Sequence, residues 1–321
     1  VILVFVDHED GTPDALSLEA LTFGRGLAGS LGVPLHAVVI GSDPMADRLG
    51  AFGVAAVHAV WDERLDSYAP AAWGGGVAEV VAAAAPQALL ASGSDRGNEV
   101  MAHTAAKLGL AFAANCLEVE PGDTYKVTRQ RWGGSLLEEA RLSGDVKLLS
   151  VAPHALAPEG SAPTAPEVRP FQPVLSDDDL RVRITGREAP EGGKVSLGDA
   201  RVVVGGGRGV GSAEGFGRLD ELAGLLGGAV GVSRAVTSLG WRPHAEQIGQ
   251  TGTRIAPDIY IACGISGAIQ HIVGCKAAKR ILAINTDPEA PILAHADHAV
   301  IADLHQVVPA IVEEIRRVQS G

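Results

Sequence analysis

The chain alternates short apolar runs with longer stretches in which apolar residues recur every three or four positions. Residues 1–6 (VILVFV) are apolar throughout, the pattern of a strand buried on both faces. A polar loop, DHEDGTPD, follows, and then a helical periodicity over residues 17–30. LHAVVIG after Pro34 reads as a second strand, DPMADRLGAFG as a short helix and AAVHAVWD as a third strand. GGGVAEVVAAAAP reads as a helix stopped by Pro86, because proline cannot continue one. QALLASGSDRGNEVMAHTAAKLGL gives strand, Gly/Ser turn and helix. This β–α–β–α rhythm predicts a three-layer α/β domain with a parallel sheet and helices on both faces.

Past residue 115 the rhythm breaks. Residues 116–153 read as short strands joined by Gly turns, an antiparallel insertion or edge. Residues 154–179 are rich in Pro, Ala, Ser and acid, and predict an extended excursion rather than a packed element. DLRVRITGRE predicts one more strand. The Gly-rich, polar residues 189–200 suit a linker, so two domains are expected, 1–189 and 190–321.

The second domain starts with RVVVGGGRGVGS, a strand entering a Gly-rich turn, then the helical AEGFGRLDELAGLLGG and the strand GAVGVSR. AVTSLGWRPHAEQIGQTGTRIAP reads as a long loop with two Gly turns. Three apolar runs follow within residues 247–303: DIYIACG, RILAIN and HAVIAD. Each ends in small or polar residues, as buried parallel strands do when their carboxyl ends face a ligand. SGAIQHIVGCKAAK predicts a crossover helix with Ser266 and Gly267 in its first turn. Backbone N–H groups there are free to hold an anion. LHQVVPAIVEEIRRVQ closes the chain as an amphipathic helix. The pattern is a doubly wound, Rossmann-like domain.

Composition narrows the partners. The 321 residues suffice for two cores. A net charge of −12 argues against nucleic acid, and no apolar run is long enough for stable membrane insertion. Cys116, Cys263 and Cys275 have no metal-like spacing, so no metal site and inert thiols in a reducing compartment are expected. With a strand-like start and no signal or transit segment, a cytoplasmic location is expected, or the mitochondrial matrix if a presequence was removed.

The candidate chemistry clusters in the second domain. GGGRGVGS misses the strict dinucleotide spacing, since the last position from Gly207 and Gly209 is Ser212. The next strand ends in Ser233-Arg234 rather than an acid that could grip a ribose, which argues against NAD. A tight turn and a phosphate contact both remain open there; Arg208 favours an anion. Arg234 is either a solvated arginine or a positive charge against a redox ring, where it would raise the potential. GQTG sets Gly249, Gln250 and Thr251 in a turn. GISGAIQH brings Gly264, Ser266, Gly267, Gln270 and His271 to a site suited to pyrophosphate. Asn285 and Asp303 each end a strand, as turn or helix caps or as sugar ligands. No acid–base pair, nucleophile elbow or P-loop occurs, so no catalytic residue is nominated. SGSDRGNE in the first domain reads as a structural or partner-facing turn.

GQTG, DIYIACGISGAIQH, AINTDPEAPI and VIADLHQVVP, in this order and spacing, resemble the α-subunits of electron-transfer flavoproteins, the FixB type. The likeness is nearly continuous from Arg208 to Pro309 and looser in the first domain, in LSLEAL and SGSDRGNEVMAHTAAKLGL. It implies a heterodimer with a β-subunit, contacted by the first domain, and one FAD held by the second. AMP or a second FAD is implied in the β-subunit. By resemblance, Arg234 matches the arginine over the flavin ring, with Ser233 and Thr251 beside it and Thr251 close to flavin N5. His271 matches the histidine near the pyrimidine carbonyl and Gln270 its neighbour; Gln247 and Gln250 match the glutamines of the GQTG turn. Ser266 and Gly267 match the pyrophosphate loop, Asn285 and Asp303 residues on the adenosine half, and Arg208 an arginine of the Gly-rich loop. Thr253-Arg254 and Thr286 stand where the family often has Lys, and WGGSLLEEARL replaces a more usual YAGNA-like segment.

The function implied is an electron carrier rather than an enzyme with its own substrate. Flavin dehydrogenases, such as acyl-CoA dehydrogenases, would be its donors, and a quinone oxidoreductase or another acceptor would follow. An electron-bifurcating, NADH-oxidising relative and a non-redox nucleotide-binding protein are the alternatives.

Overall fold

The computed structural model describes residues 1–134, 136–186, 195–198 and 200–319. The chain forms two compact units, Val1–Arg187 and Glu188–Gly321. The boundary expected near residue 190 lies outside the described residues.

The first unit holds β1 (Ile2–Val6), the small ribbon β2 (His8–Glu9) and β3 (Thr12–Pro13), α1 (Ala15–Leu31), β4 (Leu35–Ile40), α2 (Ala46–Gly50) and β5 (Ala56–Val60). It continues with α3 (Pro70–Ala84), β6 (Ala88–Ser92), α4 (Asp95–Leu108), β7 (Phe112–Glu120), β8 (Tyr125–Arg131), β9 (Leu136–Leu142), β10 (Lys147–Val151) and β11 (Glu167–Phe171). One nine-stranded sheet runs β11-β5-β4-β1-β6-β10-β7-β8-β9. All its pairings are parallel except β7–β8 and β8–β9, which make the expected antiparallel edge. Residue alternation builds both faces. Ile2, Val4 and Val6 pack with Leu21 and Leu27 of α1, while Leu3 and Phe5 pack with Trp73 and Val77 of α3 and Met101 of α4.

Two expectations for this unit change. The excursion at 154–179 contributes a strand: β11 pairs parallel with β5 from Glu167↔Ala56 to Phe171↔Val60. Pro170 hid it, but an edge strand tolerates a missing N–H. DLRVRITGRE is not a strand over its described part. Asp177–Leu180 is a short 3₁₀ turn fixed by a capping box between Ser176 and Asp179. Such local side-chain bonding competes with a ladder.

The second unit holds β12 (Val202–Gly206), α5 (Gly217–Leu225), β13 (Ala229–Val232), α6 (Arg234–Ser238) and β14 (Ile259–Cys263). It ends with α7 (Ile269–Cys275), β15 (Ile281–Asn285), β16 (His298–Ile301) and α8 (Leu304–Gln319). Its parallel sheet runs β13-β12-β14-β15-β16. One face packs on Leu219 and Leu222 of α5 and Leu304, Val308 and Val312 of α8. The other packs on Ile272 and Cys275 of α7 and on Ile248, Ile265 and Ile292 of the loops. The strand order reverses at β12, so the connections from β12 and β14 leave towards opposite faces. A crevice therefore opens where these two strands end.

Candidate functional site

Glycines shape that crevice. The loop after β12 nests against the loop after β14 through Gly207 N–H to the Cys263 carbonyl, 2.9 Å, and Gly209 N–H to the Gly264 carbonyl, 3.0 Å. A Cβ on Gly207 would overlap the Gly264 carbonyl, and one on Gly209 would stand 2.8 Å from the Gly264 Cα. Gly264 itself has φ +62°, a left-handed conformation that favours glycine. The run GGGRG thus answers a close approach of backbones, and it leaves Arg208 on the outside.

Two cavities at this edge share Ser233, Ala235 and Ser266 and form one groove. The larger part, about 480 Å³, is lined by Arg208, Gly209, Gly264, Asn285, Asp287 and Ala290 besides the shared residues. The smaller, about 210 Å³, adds Arg234, Gln247, Gly249, Gln250, Thr251, Gly267, Gln270 and His271, with Ile248, Ile265 and Ala268 as apolar wall. The groove therefore gathers thirteen of the fourteen residues expected from the sequence. Asp303 is the exception. It lines neither cavity; its carboxylate accepts from His305 N–H at 2.9 Å and its carbonyl from Gln306 and Val307, so it caps α8.

Three local differences matter. α7 is only seven residues long and begins at Ile269, so Ser266 and Gly267 belong to the loop before it. Gly267, at φ +83°, turns that loop against Ile292. The stretch after β13 opens with α6, so Arg234 stands on a helical turn rather than in a loop. Asn285 is committed at both ends: Nδ2 donates to the Ile265 carbonyl at 2.9 Å and Oδ1 accepts from Asp287 N–H at 3.1 Å. It ties the two loops together as well as lining the groove.

Charge and burial set what the groove can bind. Arg208 and Arg234 are exposed, and neither guanidinium has a partner among the described residues. Most other arginines in this acidic chain are paired; Arg242, for instance, holds both Asp220 and Glu246. His271 is buried. Its Nε2 lies 2.8 Å from the Tyr260 hydroxyl, and its buried Nδ1 makes no well-formed hydrogen bond among the described residues, although the Ile248 backbone lies close enough to oppose the fall of its pKa. Burial pushes its pKa down to about 4, which leaves the imidazole neutral near pH 7. Gly205 makes room for this pair, since a Cβ there would collide with the Tyr260 hydroxyl. Cys116, Cys263 and Cys275 are free and buried, and burial raises each thiol to about 12, as expected of inert thiols.

Two unpaired guanidinium groups, a glycine cradle and a buried imidazole nitrogen that makes no well-formed hydrogen bond fit an anionic cofactor with a polar ring, such as FAD. No group of metal-ligating side chains occurs among the described residues. The sequence reading missed Gly209, Ala235, Ile248, Ile265, Ala268, Asp287 and Ala290 as lining residues. Most act through backbone or apolar surface, which no motif announces. Asp287, inside AINTDPEAPI, was the one with a signal.

Comparison with known proteins agrees with the geometry. Residues 2–173 match the electron transfer flavoprotein domain, and residues 196–276 match the electron transfer flavoprotein FAD-binding domain. The chain is 36% identical over 319 residues to electron transfer flavoprotein subunit alpha of Mycobacterium tuberculosis (strain ATCC 25618 / H37Rv), covering 98% of each. It is 32% identical over 324 residues to the subunit of the same name from Thermoanaerobacterium thermosaccharolyticum, covering 99% of this chain and 98% of that one. Protein FixB of Clostridium saccharobutylicum is 34% identical over 326 residues, covering 100% of this chain and 97% of its own length. Both halves are matched in order and the relatives align end to end, so the chain belongs to the electron transfer flavoprotein α-subunit family.

Proposed function

We propose that the groove at the ends of β12 and β14 holds one FAD, and that the chain works with a β-subunit as a heterodimeric electron carrier. It receives electrons from flavin dehydrogenases, such as acyl-CoA dehydrogenases, and passes them to a quinone oxidoreductase or another acceptor. The observation that carries this reading is the pair of unpartnered arginines, Arg208 and Arg234, on one glycine-lined groove at the sheet's switch point. FAD, when bound, supplies the reversible redox chemistry.

The chain's own residues bind and polarise. Arg208 and the backbone at Ser266 and Gly267 hold the pyrophosphate. Arg234 keeps a positive charge by the isoalloxazine ring, with Ser233 beside it, which favours added negative charge there. Neutral His271 and Gln270 would stand by the pyrimidine end, and Thr251 would stand close to N5, with Gln250 and Gly249 in the same turn. Asn285 braces the adenosine side. No proton donor or acceptor for a substrate is needed, in keeping with a carrier. The first domain contacts the β-subunit, which carries AMP or a second FAD. The setting is cytoplasmic; no helix among the described residues is long and apolar enough to cross a membrane.

The test is the absorption spectrum and flavin count of the chain co-purified with its β-subunit. One FAD per heterodimer, reducible by an acyl-CoA dehydrogenase and its substrate, is expected. A colourless protein would sink the reading. Two FAD with direct reduction by NADH would reassign the chain to a bifurcating flavoprotein.

A further inference from the structure

Asp287 is the one carboxylate among the residues that line the groove, whose other charged members are Arg208 and Arg234. It stands in the larger part with Arg208, Ser266 and Asn285, whereas Arg234, Thr251 and His271 line only the smaller part. Its place is fixed by its own turn. Its N–H donates to Asn285 Oδ1 at 3.1 Å, its Oδ1 accepts from Glu289 N–H at 2.9 Å, and its carbonyl accepts from Ala290 N–H at 3.3 Å. That turn is tied in turn to the loop before α7. Ile292 N–H donates to the Ser266 carbonyl at 3.0 Å, and Asn285 Nδ2 donates to the Ile265 carbonyl at 2.9 Å. The second carboxylate oxygen, Oδ2, accepts no hydrogen bond, and the side chain joins no ion pair, among the described residues. Thr286 and Pro288 on either side bring no charge to neutralise it. A free carboxylate is thus held, exposed, on a groove whose other charges are positive.

An ionised carboxylate has only lone pairs to offer. It repels phosphate and attracts hydroxyl or amino donors. With the isoalloxazine ring in the smaller part and the pyrophosphate at Arg208 and Ser266, the adenosine extends into the larger part. The first donors past the pyrophosphate are the 2′- and 3′-hydroxyls of its ribose. We propose that Asp287 is a specificity-determining residue that accepts a hydrogen bond from this ribose diol, and so selects a free ribose over a phosphorylated one. This rests on the FAD reading above. An acid performs the same task in dinucleotide folds, where it ends the second strand. Here that position holds Ser233-Arg234, and the acid comes instead from the turn after β15. Because the turn is already braced, little ordering is needed when the sugar arrives.

Competition on the flavin-depleted heterodimer tests this. ADP, 2′-deoxy-ADP, 3′-deoxy-ADP and ADP bearing a 2′-phosphate are each measured as displacers of FAD, so that a nucleotide held by the β-subunit does not register. The wild type should bind ADP about 10- to 100-fold tighter than one of the deoxy forms, the worth of a hydrogen bond to a charged group. It should also bind ADP at least about tenfold tighter than the 2′-phosphate form. Asp287→Asn is isosteric and keeps an oxygen for Glu289 N–H, so the turn survives. The variant should bind FAD about tenfold more weakly and lose most of the preference for the hydroxyl. It should bind the 2′-phosphate form more tightly than the wild type does, a gain that a merely structural role would not produce. The proposal is overturned if the Asn variant weakens every ligand alike, or if the wild type is indifferent to both deoxy forms. It is overturned as well if exchanging adenine for hypoxanthine costs more than removing either hydroxyl, since the carboxylate would then face the adenine amino group. A wild-type heterodimer that binds neither FAD nor ADP refutes the FAD reading itself. One that binds FAD without regard to the ribose hydroxyls refutes only the role of Asp287.

Discussion

Arg234 shows how one side chain can be placed by its surroundings and still be left without a partner. β13 ends at Val232, Ser233 N–H bonds the Gly206 carbonyl at 3.0 Å, and α6 starts at once. This delivers the guanidinium to the groove. Two unit charges 4 Å apart interact by about 1 kcal/mol in water and about 4 kcal/mol near a protein surface. Arg234→Ala should therefore lower the flavin midpoint potential by an amount within that span per electron. Arg234→Lys should restore most of it, because charge matters more here than planarity. Potentiometric titration of the heterodimer checks both, and an unchanged potential in the Ala variant removes Arg234 from the ring. Gly207 makes a different kind of prediction. A methyl group there overlaps backbone, not a side chain that can swing away. Gly207→Ala should cost about 1–3 kcal/mol of stability and weaken FAD binding with it. Thermal melts with and without added FAD would separate the two losses. At this scale the sequence was legible where chemistry is carried by residue type, as at Arg208, Arg234 and His271. Asp303 lines neither cavity and caps α8; a strand-ending Asp looks the same in a sequence whether it caps a helix or holds a sugar.

Elements were legible where a hydrophobic period ran long. β1, with five buried residues, and α8, with one apolar stripe, could be read directly. Short elements were not. α6 and α7 have five and seven residues, too few to display a helical period, and their form depends on the strands they follow. β11 was obscured by its proline and by having only one neighbour. This edge carries a pH-sensitive arrangement. His36 of β4 and His58 of β5 are buried with Nδ1 and Nε2 3.3 Å apart. Burial is the main cause that pushes His36 down to about 4, helped by His58, by Arg169 of β11 and by the N-terminal amine, with Glu167 opposing. His58 is lowered as well, by burial and Arg169 against Glu167. A folded pKa below the unfolded 6.5 means that the unfolded chain takes up protons first. The stabilising contribution is complete above about pH 6.5 and is lost as pH falls towards 4. Asp62 and Asp179, held near 2, lose their contribution only below about pH 4, so they do not act in this window. The denaturant midpoint should fall between pH 7 and pH 5, and less steeply in a His36→Leu/His58→Leu variant. Equal slopes in the two proteins would rule out the pair as the cause.

For the whole molecule, the chain divides into two compact units. The change of rhythm near residue 115 marks the antiparallel edge of the first unit's sheet, and the Gly-rich stretch near 190 lies outside the described residues. The partner was not legible, because a subunit surface is read from a complex rather than from one chain. Confining the groove to the second unit has a thermodynamic consequence. Every residue that lines it lies between Arg208 and Ala290. A ligand that binds only the folded form stabilises what it binds, by about 2.7 kcal/mol at a hundred times its dissociation constant. FAD added to the flavin-depleted chain should therefore slow amide exchange most across β12, β14 and α7. Exchange in β1, β4 and β6, which carry the core of the first unit, should change much less. Melting followed in two ways should agree, with Trp241 reporting the second unit and Trp73 the first. Only the transition seen by Trp241 should climb with FAD concentration. If protection rose chiefly in the first unit, the FAD site would lie there, and the arginines of the second unit would need another explanation.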